Sequence, residues 1–115
     1  MRRGEIRIVD FEPARGSEAN KRRPAVVVSN DGANQRATEL KRGMVTVLPL
    51  TSKTQRVYPF QVVLPATGTG LQRDSKVQAE QIRSLDLGRV GPVIGSVPPT
   101  MMQEIDDAIR LHLAL

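Results

Sequence analysis

The sequence predicts a mainly β domain: a small, strongly bent antiparallel sheet or partly open barrel, closed on one side by a single C-terminal helix. Three observations predict it. Short apolar, β-branched runs such as Ala25–Val28 and Met44–Leu48 recur along the chain, separated by turn residues. Only the C-terminal tail places apolar residues at helical spacing. The 115 residues suffice for one hydrophobic core but not for two, so residues 1–115 are expected to form one domain.

Taken in order, Glu5–Phe11 alternates apolar and polar residues and reads as a half-buried strand. Pro13–Asn20 collects Pro, Gly, Ser and Asn and reads as a loop. Pro24–Ser29 is a short apolar strand. Asn30–Gly43 is polar, opens on Asp31-Gly32 and closes on Gly43; it is expected to be a long loop, a length that points to function in a small domain. Met44–Leu48 is a buried strand running into Pro49-Leu50-Thr51-Ser52 and a basic turn through Lys53 and Arg56. Pro59–Leu64 is a further strand, ended by Pro65 and the Gly68/Gly70 turn. Ser75–Leu85 fits strand or helix by period and is taken as strand. Val90–Val97 is a last short strand, bending at Gly91 and Gly95. In the tail, Met101, Met102, Ile105, Ala108, Ile109 and Leu113 share a helical face, with the methionines packing into the core. Pro98 and Pro99 suit a helix start, and Thr100-x-x-Gln103 has the form of a capping box.

Composition excludes several classes of chemistry. There are no cysteines, hence no disulfide, thiolate zinc site or cysteine nucleophile. The single histidine, His112, rules out a histidine-pair ribonuclease or a multi-histidine metal site within one chain. No apolar run approaches the roughly 20 residues that cross a bilayer. No apolar stretch follows the basic Met1-Arg2-Arg3 start, so no secretory signal is expected and the expected address is the cytoplasm. The net charge is +5 and the pI near 10.4. Residues 1–97 carry sixteen basic against nine acidic side chains, which favours a polyanionic partner. With only Phe11, Tyr58 and Phe60 as aromatics, a broad base-stacking platform is not expected.

Two strand ends stand out. Lys21-Arg22-Arg23-Pro24 runs straight into an apolar strand, and Pro24 biases Arg23 toward an extended backbone, fixing its direction. A guanidinium there can grip phosphate oxygens in bidentate fashion. Thr51 and Ser52 place hydroxyls at the end of the next strand. A permanent cation beside a hydroxyl suits a phosphodiester. RNA carries its own nucleophile, the 2′-hydroxyl, so cleavage needs alignment and charge stabilisation rather than a metal or a protein nucleophile. Arginine is a poor proton-transfer group near neutrality, which leaves Glu18, whose loop leads to the basic triplet, and Asp10 as possible acid/base groups, Glu18 the better placed. Glu104 and Asp107 read as a solvated helix face, His112 is given no catalytic role, and no metal or cofactor site is expected.

The residues then show a wider pattern. Gly4-Glu5-Ile6, Val9-Asp10-Phe11, Gly16-Ser17-Glu18 and Arg23-Pro24-Ala25-Val26-Val27-Val28-Ser29 resemble the MazF/PemK toxins. So do Val47-Leu48-Pro49-Leu50-Thr51-Ser52, Tyr58–Leu64 and Asp74–Asp86, in the family's order over nearly the whole chain. The resemblance implies a small SH3-like barrel of the MazF/CcdB toxin type with a C-terminal helix, acting as a homodimer. It implies a metal-independent, sequence-specific endoribonuclease that cuts single-stranded RNA to 2′,3′-cyclic phosphate and 5′-hydroxyl ends. Arg23 and Thr51 match the family's catalytic pair. Ser17, Lys21, Arg22, Ser52, Lys53, Arg56 and Gln81 are the expected RNA-binding residues. A cognate MazE-type antitoxin would block the groove with an acidic, partly disordered tail. Ile8 stands where the family often carries an aromatic, and Asn30–Gly43 and Lys53–Arg56 match no fixed motif, so these departures bear on the recognition sequence. Asn34, Gln35 and Arg36 are candidate base readers. Two alternatives use other physics: a CcdB-like toxin that binds DNA gyrase through a hot-spot surface, and a non-catalytic RNA-binding module.

Overall fold

The computed structural model describes residues 1–115. The chain forms β1 (Glu5–Asp10), β2 (Arg22–Val27), α1 (Asp31–Leu40), β3 (Met44–Thr51), β4 (Gln61–Leu64), β5 (Ser75–Gln78), β6 (Arg83–Asp86), β7 (Val90–Ser96) and α2 (Pro99–Leu113). Single 3₁₀ turns at Ala79–Gln81 and Leu87–Arg89 separate the last strands. Every strand pairing is antiparallel, in the order β4-β5-β3-β2-β1-β7, with β6 also on β3.

β3 is the hub. One edge pairs with β2; the other pairs with β6 along Met44–Val47 and then with β5 at Leu50–Thr51. A strand that changes partner partway along one edge bends the sheet. The connection between β4 and β5 then folds against β7. A Cβ placed on Gly95 would lie 1.8 Å from the Thr69 carbonyl oxygen, so two backbones meet there at a distance only glycine allows. This contact brings the two ends of the strand order together and gives the partly closed barrel the sequence predicts.

Both faces of the sheet are apolar, which is why β2 and β3 read as unbroken hydrophobic runs rather than alternating ones. Ile6, Val26, Leu48, Leu50 and Val77 pack on one face with Ile105 and Ala108 of α2. Val9, Ala25, Val27, Val45, Val47 and Leu85 pack on the other, with Phe11. Full burial of each Val, Leu, Ile or Phe among them contributes roughly 1.5–3 kcal/mol. Met101 and Met102 flank the first cluster, as expected of packing methionines. No helix is long and apolar enough to cross a membrane.

The structure corrects three expectations. Asn30–Gly43 is not a loop: Asp31–Leu40 is α1. The Asn30 side chain caps it by accepting from the Ala33 N–H at 2.8 Å, Asp31 sits in the positive first turn, and Lys41 closes it in the left-handed conformation. Its buried positions are Asn34 and Ala37, so no apolar stripe marks it in the sequence. Second, α2 starts at Pro99 with Pro98 as its cap residue, and no side chain caps it. Thr100 lies inside the first turn, where the capping box with Gln103 does not form, because Pro99 is already suited to the first helical position. Third, Ser75–Leu85 is two strands broken by the turn at Ala79–Gln81 rather than one.

Candidate nucleic-acid interface

Register places the two strand ends together. Ala25 lies opposite Pro49 and Val27 opposite Val47; the ladder ends there, and its continuation by two residues brings Arg23 and Thr51 to the same side, where both line the same cavities. Residues directly opposite on antiparallel strands point to the same face. On the far edge of β3, Thr51 pairs with Lys76 of β5.

Arg23 is held from behind. Lys21 adopts the left-handed conformation (φ 64°), with its N–H donating to Glu12 Oε1 at 2.7 Å, and the turn brings Asn20 over the guanidinium. Arg23 Nε donates to the Asn20 carbonyl at 2.8 Å and Nη2 to Asn20 Oδ1 at 2.7 Å. A guanidinium carries five N–H donors, so three stay free for a ligand. Thr51 Oγ1 accepts from the Lys53 N–H at 3.3 Å, which leaves its hydroxyl proton free to donate.

Two cavities meet at these residues. The larger, of about 740 Å³, is lined by Lys21, Arg22, Arg23, Lys53 and Arg73 together with Thr51 and Ser52, and by no carboxylate. The smaller, of about 270 Å³, shares Asn20, Arg23, Thr51 and Lys53 and adds Ser17, Glu18, Lys76, Gln78 and Gln81. Together they form a cationic depression that suits an extended polyanion.

The other sequence candidates divide by what their side chains already hold. Glu18 Oε2 accepts from the Arg15 N–H at 3.0 Å, and the carboxylate lies at the rim of the smaller cavity. Gln81 pins the loop that carries Ser17 and Glu18: its amide donates to the Ser17 carbonyl at 2.8 Å and accepts from the Ala19 N–H at 3.0 Å. Arg56 lines neither cavity; it lies 6.0 Å from the centre of the Tyr58 ring and donates to the Tyr58 hydroxyl at 3.2 Å. Asp10 Oδ1 accepts from the Glu12 N–H at 3.0 Å and lines neither cavity. Asn34 is fully buried, bonded to Ser29 through both ends of its amide, and cannot read a base. Gln35 and Arg36 lie on α1, which joins the opposite ends of β2 and β3 from Arg23 and Thr51. His112 is exposed, its ring 6.2 Å from that of Phe60.

Sequence reasoning missed Asn20, Arg73, Lys76 and Gln78. Asn20 looks like any loop polar residue. Lys76 did leave a signal, a charge inside an otherwise half-apolar strand. No three His, Asp or Glu side chains stand together, and the residues that line the cavities suit an anion.

Comparison with known proteins places the chain in a family and a fold. The family described as the PemK-like, MazF-like toxin of type II toxin–antitoxin systems matches residues 2–113. Endoribonuclease MazF9 of Mycobacterium tuberculosis is 60% identical over all of this chain and 98% of its own. The crystal structure of MazF from Deinococcus radiodurans superposes with a TM-score of 0.83 at 29% identity, over 100% of this chain and 97% of that one. An endoribonuclease in complex with its cognate antitoxin, from a mycobacterial species, gives 0.79 at 25% identity, over 100% and 96%.

Proposed function

The chain belongs to the PemK-like, MazF-like toxin family of type II toxin–antitoxin systems, and on that premise we propose that Arg23 and Thr51 carry its endoribonuclease reaction on single-stranded RNA. The observation that carries the assignment is that Arg23 and Thr51, at neighbouring ends of β2 and β3, share one cavity lined by five cations and no carboxylate.

In this mechanism the RNA 2′-oxygen attacks the adjacent phosphorus. The P–O2′ bond forms, the P–O5′ bond breaks, and the products carry a 2′,3′-cyclic phosphate and a 5′-hydroxyl. The three free donors of Arg23 face the non-bridging oxygens and strengthen as charge builds on the phosphorane. The Thr51 hydroxyl donates the neighbouring hydrogen bond. Glu18, at the rim of the smaller cavity, receives the 2′-hydroxyl proton, and solvent supplies a proton to the leaving 5′-oxygen. The nucleophile belongs to the substrate, so the reaction needs no metal.

Lys21, Arg22, Ser52 and Lys53 bind the RNA backbone along the larger cavity. Ser17 and Gln81 shape the smaller one, and Arg56 stands outside both as a flanking contact. Residues 1–115 act as one domain, a homodimer in the cytoplasm. A MazE-type antitoxin neutralises it with an acidic segment that competes for the same cations.

The test is incubation of long single-stranded RNA with purified protein in EDTA beside Arg23→Ala, with fragment ends mapped. Discrete cuts leaving 5′-hydroxyl ends, reduced about 100-fold or more in the variant, are expected. Folded wild type that cuts no RNA, or a variant that cuts equally well, would refute the assignment. Thr51→Ala should slow cleavage more than it weakens binding.

A further inference from the structure

Lys76 is nine-tenths buried and has no acidic partner, and we propose that it forms a further phosphate-binding site, gripping a phosphodiester in the smaller cavity beside Thr51. The proposal rests on the cavities being the RNA groove.

Lys76 is 9% exposed. The chain contains three ion pairs, Arg3–Asp106, Arg7–Glu5 and Arg110–Asp107, and none involves it. Its ammonium makes one hydrogen bond, donating to the Arg56 carbonyl at 2.6 Å. An ammonium has three donors, so two are uncommitted. Taking an unpaired cation out of water costs several kcal/mol, and one neutral acceptor offsets little of that. An anion supplied from outside the chain would offset it.

The position fits that anion. Lys76 lies directly opposite Thr51, and the pairing of Leu50 with Val77 sends those two side chains into the core on the other face. Adjacent strands are about 4.8 Å apart. Thr51 pairs with Lys76, and Arg23 at the end of β2 lines the same cavity, so a long cationic side chain from each neighbouring strand shares the cavity with the hydroxyl. Both cations line the smaller cavity with Lys53. The cavity's one carboxylate, Glu18, is bonded to the Arg15 N–H. Among the four lysines, Lys21, Lys41 and Lys53 are exposed and only Lys76 is buried.

A purely structural role would have Lys76 staple the segment between β3 and β4 through the Arg56 carbonyl. Salt dependence separates the two roles. A labelled single-stranded 2′-fluoro RNA, which lacks the attacking hydroxyl and is not cut, is titrated by anisotropy between about 50 and 200 mM salt. Each phosphate contact on a single strand contributes about 0.7 to the slope of log K against log salt. Lys76→Met, close in shape and uncharged, should lower the slope by about 0.7, and Lys76→Arg should restore it. An unchanged slope in Lys76→Met, whatever its melting temperature, overturns the site and leaves the staple.

Should Lys76→Met not fold, the wild type decides through its ¹⁵N-lysine spectrum, where Lys76, the one buried lysine, is expected to give the most slowly exchanging ammonium. A shift of that signal on adding inorganic phosphate upholds the site; no shift overturns it. Wild type that binds with the full slope but does not cut unmodified RNA would refute the ribonuclease while leaving the phosphate site. Wild type that cuts, beside an unchanged slope in the variant, would overturn the site alone.

Discussion

Replacing Asn20 with alanine isolates the positioning of Arg23 from its charge. The substitution removes the 2.7 Å bond from Nη2 to Oδ1 and keeps the 2.8 Å bond from Nε to the Asn20 backbone carbonyl, so one of two restraints on the guanidinium is lost. A hydrogen bond to a charged group contributes about 1.5–3 kcal/mol. Asn20 is exposed, and water replaces part of what is lost, so about 1–1.5 kcal/mol is expected. That is roughly a five- to tenfold loss in rate. In the proposed mechanism the restraint aims the guanidinium at charge that develops in the transition state, so kcat should fall more than KM rises. The assay is steady-state cleavage of a short fluorogenic RNA containing the mapped cut, with a thermal melt to confirm an unchanged fold. Repeating it in an Arg23→Lys background closes a double-mutant cycle: an ammonium lacks the planar fork that meets the two Asn20 oxygens from separate nitrogens, so Asn20→Ala should cost less there. A rate within twofold of wild type would refute the positioning role. Equal losses in both backgrounds would show that Asn20 acts on something other than Arg23.

Three further outcomes test the frame that holds the site. Gly95→Ala forces a Cβ to within 1.8 Å of a backbone carbonyl that cannot move without opening the barrel, so the melting temperature should fall by roughly 5–15 °C; an unchanged melt would show that the β4–β5 connection does not seal against β7. Ile105→Ala leaves a cavity where α2 meets the sheet, with no exposure of the native side chain, and should cost about 2–5 kcal/mol in denaturant unfolding; a loss below about 1 kcal/mol would mean that α2 is not anchored there. The third concerns acid. Burial by itself would raise the Glu5 carboxyl, but the Arg2 N–H at 3.1 Å and the Arg7 guanidinium at 3.0 Å outweigh it and hold Glu5 below the usual carboxylate range. The unfolded chain therefore binds the proton more readily, and the stability Glu5 gives is present above the ordinary carboxylate range and lost as pH falls toward the lowered native value. Glu5→Gln should flatten the acid limb of stability against pH; an identical limb in both proteins would contradict this.

Much of the fold is legible because the signals are local. The strands before and after Pro24 and Pro49 announce themselves by β-branched apolar runs, and the tail by one apolar stripe. α1 was hidden because its buried face consists of Ala37 and a polar Asn34, so nothing in its period separates it from a loop; its local marks were Asn30 at the cap position and Asp31 in the first turn. The strand break at Ala79–Gln81 was hidden because β5 and β6 share β3 as a partner, and the turn serves that distant pairing rather than any local preference.

The candidate site divides along the same line. Arg23 and Thr51 could be picked out because a proline fixes one and a buried strand end the other, both within a few residues. What each remaining polar group is free to do depended on partners far away in the chain. Gln81 is spent on a loop more than sixty positions earlier, and Asn34 on the turn that leads into its own helix. Lys76, set in a short, largely buried strand, becomes a wall of the cavity only because β5 pairs with the end of β3. The sequence by itself determined the antiparallel barrel, the basic balance and the two strand ends. Tertiary structure alone decided which donors stay unpaired, since a hydrogen bond or a buried charge is settled by the neighbours that folding brings to it.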